Sequence, residues 1–139
     1  MAKRLFLDTS FAIALASATD KHHSRALALA ETIERENIIL ITSQPIVFEI
    51  GNALSKAQSR QAGTALLEAL MNDPNVEILA LSGSLMHGVF QLFKNRPDKE
   101  WSLTDCASFL LMKEMDLAEA LTADIHFTQS GFKALLLED

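Results

Sequence analysis

A chain of 139 residues, 49% of them apolar and with a mean hydropathy of +0.16, is long enough to bury a real core and is expected to form a single domain, 1–139. Eighteen acids against twelve bases leave a net charge of −6, which excludes a generic basic coat for nucleic acid but not an enzyme that acts on one, because acids gathered around a cation no longer repel the substrate. The lone Cys106 excludes an internal disulfide, and with no signal-peptide pattern and no apolar run near the ~20 residues of a membrane span, a cytoplasmic protein without membrane attachment is expected.

Lys3–Leu7 opens the chain as a short apolar run that halts on one carboxylate, Asp8, followed by two hydroxyls, Thr9 and Ser10; it predicts a buried parallel strand. Thr9–Ser17 is apolar on all sides, as in a helix buried against neighbours or an interface. After a loop at Thr19–Lys21, His22–Glu36 predicts a helix with a charged face and Leu27, Ala30 and Ile33 opposite. Ile38–Thr42 predicts a second buried strand. Proline after Gln44 suits a first helical position, so Ile46–Ala57 predicts a helix. Arg60–Met71 predicts an amphipathic helix that ends at Asn72-Asp73-Pro74, Val76–Leu81 a third strand, Ser82–Asn95 a helix, Arg96–Glu100 a charged loop and Thr104–Met115 another helix. Leu117–Thr122 predicts a fourth strand and Phe132–Leu137 a short last one. Strands alternating with helices imply an α/β fold: a parallel sheet with right-handed crossovers and helices on both faces.

In such a sheet ligands bind beyond the carboxyl ends of the strands. Asp8 leaves strand one there, and Asp124, in LTADIHF, leaves strand four at the same edge. Asp105, in WSLTDC, falls in the first turn of a helix that Ser102 or Thr104 can cap, so capping alone would account for it. Glu49 sits in PIVFEIGNAL among Ile46, Val47, Phe48, Ile50 and Ala53; a glutamate on so apolar a helix is either paired or faces a polar pocket. The motifs of these four acids carry no basic residue, and a hard divalent cation, Mg²⁺ or Mn²⁺, would relieve their repulsion. Zinc fits poorly, since four histidines and one cysteine show no ligand spacing; His22-His23 reads as a solvated loop pair and His87 as a helix residue.

At these motifs the chain resembles the PIN-domain family, and within it the VapC-type toxins of bacterial toxin–antitoxin pairs. The resemblance rests on FLDTS, PIVFEIGNAL, WSLTDCASF and LTADIHFTQSGF, the last two specific in combination, and covers essentially the whole chain. It implies a Mg²⁺- or Mn²⁺-dependent ribonuclease on a three-layer α/β/α fold with a central parallel sheet of four to five strands. The family's acids carry over onto Asp8, Glu49, Asp105 and Asp124, its hydroxyl near the first acid onto Ser10 with Thr9 beside it, and its Ser/Thr before the third acid onto Thr104. On this reading Asp8, Glu49 and Asp105 hold metal, Asp124 is a further ligand, direct or through water, and Ser10 and Thr104 orient water or carboxylates. In-line attack by water would leave a 5′-phosphate and a 3′-hydroxyl. His126 stands where such toxins often have a histidine, with capping of the turn after Asp124 as its plain explanation; Asp98 is left outside the site. The partners implied are an RNA substrate, an antitoxin protein and a second copy of the chain.

Contact with RNA phosphates is expected from Lys56 and Arg60 or from Arg96 and Lys99, and Trp101 offers either a base-stacking surface or a packing residue. Other acid-based sites fit less well. A phosphoacceptor receiver needs paired acids after strand one and a late lysine, and a haloacid-dehalogenase-like phosphatase needs an acid where Ser10 stands. An adhesion-type D-x-S-x-S loop would put a hydroxyl at Ala12. A catalytically silent PIN-type RNA-binding or scaffold protein is the remaining alternative.

Overall fold

The computed structural model describes residues 3–138. Its elements run β1 (Arg4–Leu7), α1 (Thr9–Ala16), α2 (His23–Arg35), β2 (Ile39–Ser43), α3 (Gln44–Ala53), α4 (Arg60–Asn72), β3 (Val76–Leu79), α5 (Gly83–Asn95), α6 (Leu103–Glu114), β4 (Glu119–Leu121), α7 (Ile125–Gln129) and β5 (Lys133–Ala134), followed by a 3₁₀ turn at Leu135–Leu137. All five strands are parallel, in the order β3-β2-β1-β4-β5. No helix among the described residues is long and apolar enough to cross a membrane.

Because side chains alternate along a strand, a fully apolar strand feeds two cores. Phe6 of β1, Ile41 of β2 and Ala120 of β4 face one layer, where they meet Ile46 and Ile50 of α3, Val89 of α5, Phe109 and Met112 of α6, and Phe127 of α7. Leu5, Leu7, Leu40 and Leu121 face the other, with Phe11 and Ala14 of α1, Ala26 of α2 and Leu135 and Leu136 of the last turn. The result is the three-layer α/β/α arrangement. In the first layer Phe109 is the hub: its ring lies edge-on to Trp101 and to Phe127, both with centroids 5.0 Å away, and 5.9 Å from Phe132. These contacts bolt α6 to α7.

Several elements depart from the sequence expectations. Helix α3 ends at Ala53 rather than Ala57, because the chain turns at Leu54 and the Arg60 guanidinium donates twice to the Ser55 carbonyl, at 2.7 and 3.1 Å. Gly63 permits this turn: a Cβ there would meet the Leu54 Cβ at 2.8 Å. On α2 the residue turned inward is Ala26, while Leu27 is exposed. His23 is not a solvated loop residue; it begins α2 and its ring Nδ1 lies 2.7 Å from the Ala14 carbonyl. The apolar α1 is covered largely by the fold itself, with Phe11, Ala12 and Ala14 buried. The last strand shrinks to two residues, and α7 is a helix that apolar periodicity did not announce.

The strand order places the chain's change of direction between β1 and β4, since β1, β2 and β3 run outward one way and β4 and β5 the other. Such a switch point opens a crevice at the carboxyl edge. Leu7 pairs with Leu121, and the Asp8 amide donates to the Leu121 carbonyl at 3.2 Å, so the exits of β1 and β4 lie side by side.

Candidate active site

Asp8 is the residue after β1 and the N-cap of α1, and only 6% of it is exposed. A buried carboxylate must be hydrogen-bonded. Its Oδ2 accepts from Thr122 Oγ1 at 2.7 Å and from Ser10 Oγ at 3.0 Å. The two hydroxyls are themselves held from behind: the Ala123 amide donates to Ser10 Oγ at 2.9 Å and the Asp124 amide to Thr122 Oγ1 at 3.0 Å. Across the sheet, Thr42 Oγ1 donates to the Leu7 carbonyl at 2.8 Å and pins the strand's last residue. Burial pushes the Asp8 carboxyl up from 3.8 to about 6; the hydrogen bonds from Thr122, Ser10 and the Thr9 backbone oppose the shift, and the neighbouring Glu49 charge adds to it.

Asp105 sits in the first turn of α6 and does two jobs. It closes a capping box, in which its amide donates to Ser102 Oγ at 2.9 Å and its Oδ2 accepts from the Ser102 amide at 3.0 Å. The same Oδ2 lies 2.9 Å from His126 Nδ1, which is also 3.3 Å from Asp124 Oδ1. Two carboxylate oxygens can only accept, so Nδ1 carries the proton. Asp124 in turn caps α7, its Oδ1 accepting from the His126 amide at 2.9 Å. Glu49, half-buried on α3, accepts from Thr9 Oγ1.

Asp8, Glu49, Asp105 and Asp124 line one cavity of about 380 Å³, together with Thr9, Ser10, Glu100, Ser102 and His126. No lysine or arginine lines it among the described residues. Ligand atoms of Asp105, Asp124 and His126 all lie within 4.8 Å of one another. This donor set, four carboxylates with an imidazole hydrogen-bonded behind two of them and a buried acid whose ionised form lacks a compensating charge, fits a hard divalent cation.

Of the six residues singled out in the sequence, five converge here. Thr104 does not: it lines a neighbouring cavity that Glu49 also borders, and the capping hydroxyl is that of Ser102. Sequence reasoning missed Thr122, whose signal was the T-x-D spacing at the end of β4 facing the D-x-S spacing at the end of β1, and left His126 outside the site although its ring joins two of the acids. It also passed over Glu100, at the cavity rim. Trp101 is a packing residue, 6% exposed, with Nε1 donating to Gln129 Oε1 at 3.0 Å. Arg96 is engaged by Asp98 through two 3.0 Å hydrogen bonds and lies over the Trp101 ring, and Arg60 is engaged by Ser55.

Residues 5–133 match the PIN domain family. A 23S rRNA-specific endonuclease of Mycobacterium tuberculosis, VapC20, is 25% identical over 128 residues, covering 92% of this chain and 95% of the relative. Its crystal structure, described as that of a sarcin-ricin loop cleaving toxin, superposes with a TM-score of 0.83 at 24% identity over 92% of this chain and 95% of that one. VapBC2 from Rickettsia felis, bound to a promoter DNA fragment, gives a TM-score of 0.69 at 14% identity over 94% of this chain and 96% of that one. FitAcB from Neisseria gonorrhoeae gives 0.64 at 17% identity over 94% of each chain. At these identities the structural likenesses establish the fold.

Proposed function

The chain belongs to the PIN-domain family, and from that premise we propose that it is a divalent-metal-dependent endoribonuclease, the toxin of a toxin–antitoxin pair. The observation that carries this reading is the gathering of Asp8, Glu49, Asp105 and Asp124 in one cavity without a lysine or arginine among the described lining residues. Mg²⁺ or Mn²⁺, when bound, lowers the pKa of a water and stabilises charge on the scissile phosphate. Asp8, Glu49 and Asp105 would hold the cation, with Asp124 as a further ligand.

The chain's own residues then divide the work. Ser10 and Thr122 hold Asp8 by one oxygen and offset part of the cost of its burial. Ser102 fixes Asp105 in its first-turn position, and the His126 ring spans Asp105 and Asp124, keeping two like charges side by side where they would otherwise repel. Thr9 orients Glu49 from the neighbouring strand exit. The sequence similarity to a 23S rRNA endonuclease supports an RNA substrate.

The surfaces that remain apolar support partners. A groove of about 200 Å³ between α1, α2 and α4, lined by Leu15, Ala30, Ile33, Leu66 and Leu70, suits an amphipathic antitoxin helix. Met86, Phe90 and Phe93 form an exposed stripe at helical spacing on α5, which suits a second copy of the chain. A cytoplasmic location accompanies the same reading. The deciding experiment incubates purified protein with RNA in Mn²⁺, Mg²⁺ or EDTA and maps the product ends. Cleavage to 5′-phosphate and 3′-hydroxyl ends, abolished by EDTA and reduced more than about a hundredfold in Asp8→Asn, is expected. Cleavage that survives EDTA, or that Asp8→Asn leaves intact, overturns the reading.

A further inference from the structure

We propose that the cavity beside Glu49 is a base-binding subsite that seats one unpaired nucleobase of the RNA next to the bond that is cut. The proposal rests on the nuclease reading and adds where the substrate lies. The cavity, of about 520 Å³, is bounded by Gln44, Phe48, Glu49 and Asn52 of α3 on one side and by Leu81 and Thr104 on the other. Gln44, Phe48 and Asn52 are spaced by four residues each, so they form one row along the helix, with successive Cβ atoms about 5–6 Å apart. Phe48 is 70% exposed, a large apolar side chain that the fold leaves in water. The carboxamides on either side of it are exposed too, and neither makes a side-chain hydrogen bond among the described residues.

The chemistry of this wall selects its occupant. Each carboxamide offers donors and an acceptor, the pattern needed to read a base edge, and the ring between them offers a face on which a base can stack. An anionic phosphate is disfavoured, because the lining contains a carboxylate and no basic side chain. A purely apolar occupant would strip water from both carboxamides without pairing them. Continuity fixes the position of the occupant relative to the chemistry: Glu49 lines this cavity and the carboxylate cavity alike, so a base here belongs to a nucleotide adjoining the scissile phosphate. Thr104, absent from the lining of the carboxylate cavity, borders this one instead.

The test uses a short single-stranded RNA carrying a cleavage site mapped from total RNA, with each nucleotide around the cut replaced in turn by an abasic one. In the wild-type protein one abasic position adjoining the cut is expected to raise KM about tenfold, the usual scale for loss of one stacked base. Phe48→Ala is expected to raise KM about tenfold on the intact RNA and to show no further loss at that abasic position, while Phe48→Tyr, which keeps a stacking ring, restores the wild-type pattern. Asn52→Ala is expected to change the preferred base at that position and not elsewhere. Losses from Phe48→Ala and the abasic position that multiply, or unchanged kinetics, overturn the subsite while leaving the nuclease reading intact. Unchanged kinetics together with an altered oligomeric mass or lost antitoxin binding would reassign Phe48 to a protein contact and overturn it as well. A wild-type protein that cleaves no RNA with any divalent cation removes both readings together.

Discussion

The carboxylate cavity has two walls built on different terms. On one, the Asp8 and Asp105 carboxylates each accept two hydrogen bonds, and Asp124 accepts one from the His126 amide with the His126 ring 3.3 Å from it; these lead back into the sheet or a helix terminus, in the layer where Phe109 and Phe127 pack. On the other, Glu49 is half-buried on α3 with one hydroxyl partner, Thr9, and its neighbours Phe48 and Asn52 stand in water. The first wall is the more tightly held, which is what the proposed metal site would need for its ligands to stay in place when empty. The second is loosely held and presents unpaired chemistry outward, which suits the proposed base subsite. Hydrogen bonding is concentrated where charge is confined, and exposure where the proposed subsite would meet a base.

The sharpest way to break this contrast is to titrate the rigid wall without metal. Folding raises the Asp8 carboxyl from 3.8 to about 6, chiefly by burial, so between those values the folded state holds a proton that the unfolded state has released. Stability of the metal-free protein therefore increases as pH falls through that window, and above pH 6 the ionised buried group costs about 3 kcal/mol. Urea unfolding of EDTA-treated protein between pH 4 and 7.5, compared with Asp8→Asn, is expected to show this slope only in the wild type. Saturating Mn²⁺ at pH 7.5 should remove the penalty. Parallel pH profiles for the two proteins would mean that Asp8 is not strained by its burial, and the rigid wall would lose its energetic basis.

A smaller effect probes how that wall is assembled. His126→Ala removes the ring that joins Asp105 to Asp124 while leaving both caps in place, the Asp105 amide donating to Ser102 Oγ and the backbone amide at position 126 donating to Asp124 Oδ1. Loss of such an outer support typically costs 10–100-fold in metal affinity, and a loss of that size is expected in a calorimetric Mn²⁺ titration. Unchanged affinity would show that the caps alone hold the two acids.

Legibility in the sequence divides along the same line. The strands were readable because uninterrupted apolar runs such as Leu5–Leu7 and Ile39–Ile41 can only be buried on both faces, and a parallel sheet then brings the exits at Asp8 and Asp124 to one edge. Glu49 was readable because a carboxylate on an apolar helix demands a reason. Thr122 and His126 were not, because their roles depend on β4 lying beside β1, and strand order leaves no trace in local pattern. Thr104 was misplaced for a geometric reason: neighbours in a helix do not face the same way, so the residue before Asp105 points elsewhere, and Ser102, three positions away, is the one that meets it. The early end of α3 escaped notice because it is set by the Arg60 contact to Ser55 and the close approach at Gly63, both between segments.

The smallest effect tests the loose wall. Thr9→Val keeps the branched shape at the start of α1 but removes the hydroxyl donor to Glu49. Because the Glu49 side of the cavity is open to water, a solvent molecule can take over that donor, so only part of the hydrogen bond's net worth is lost. Mn²⁺ affinity is expected to fall roughly threefold to tenfold, less than for His126→Ala, with unfolding stability nearly unchanged. The two variants measured side by side decide whether the asymmetry is real: a Thr9→Val loss equal to that of His126→Ala would place Glu49 among the fixed ligands. A smaller loss is the outcome expected of a Glu49 that settles into position as metal and RNA arrive, because its single partner then orients the carboxylate without confining it.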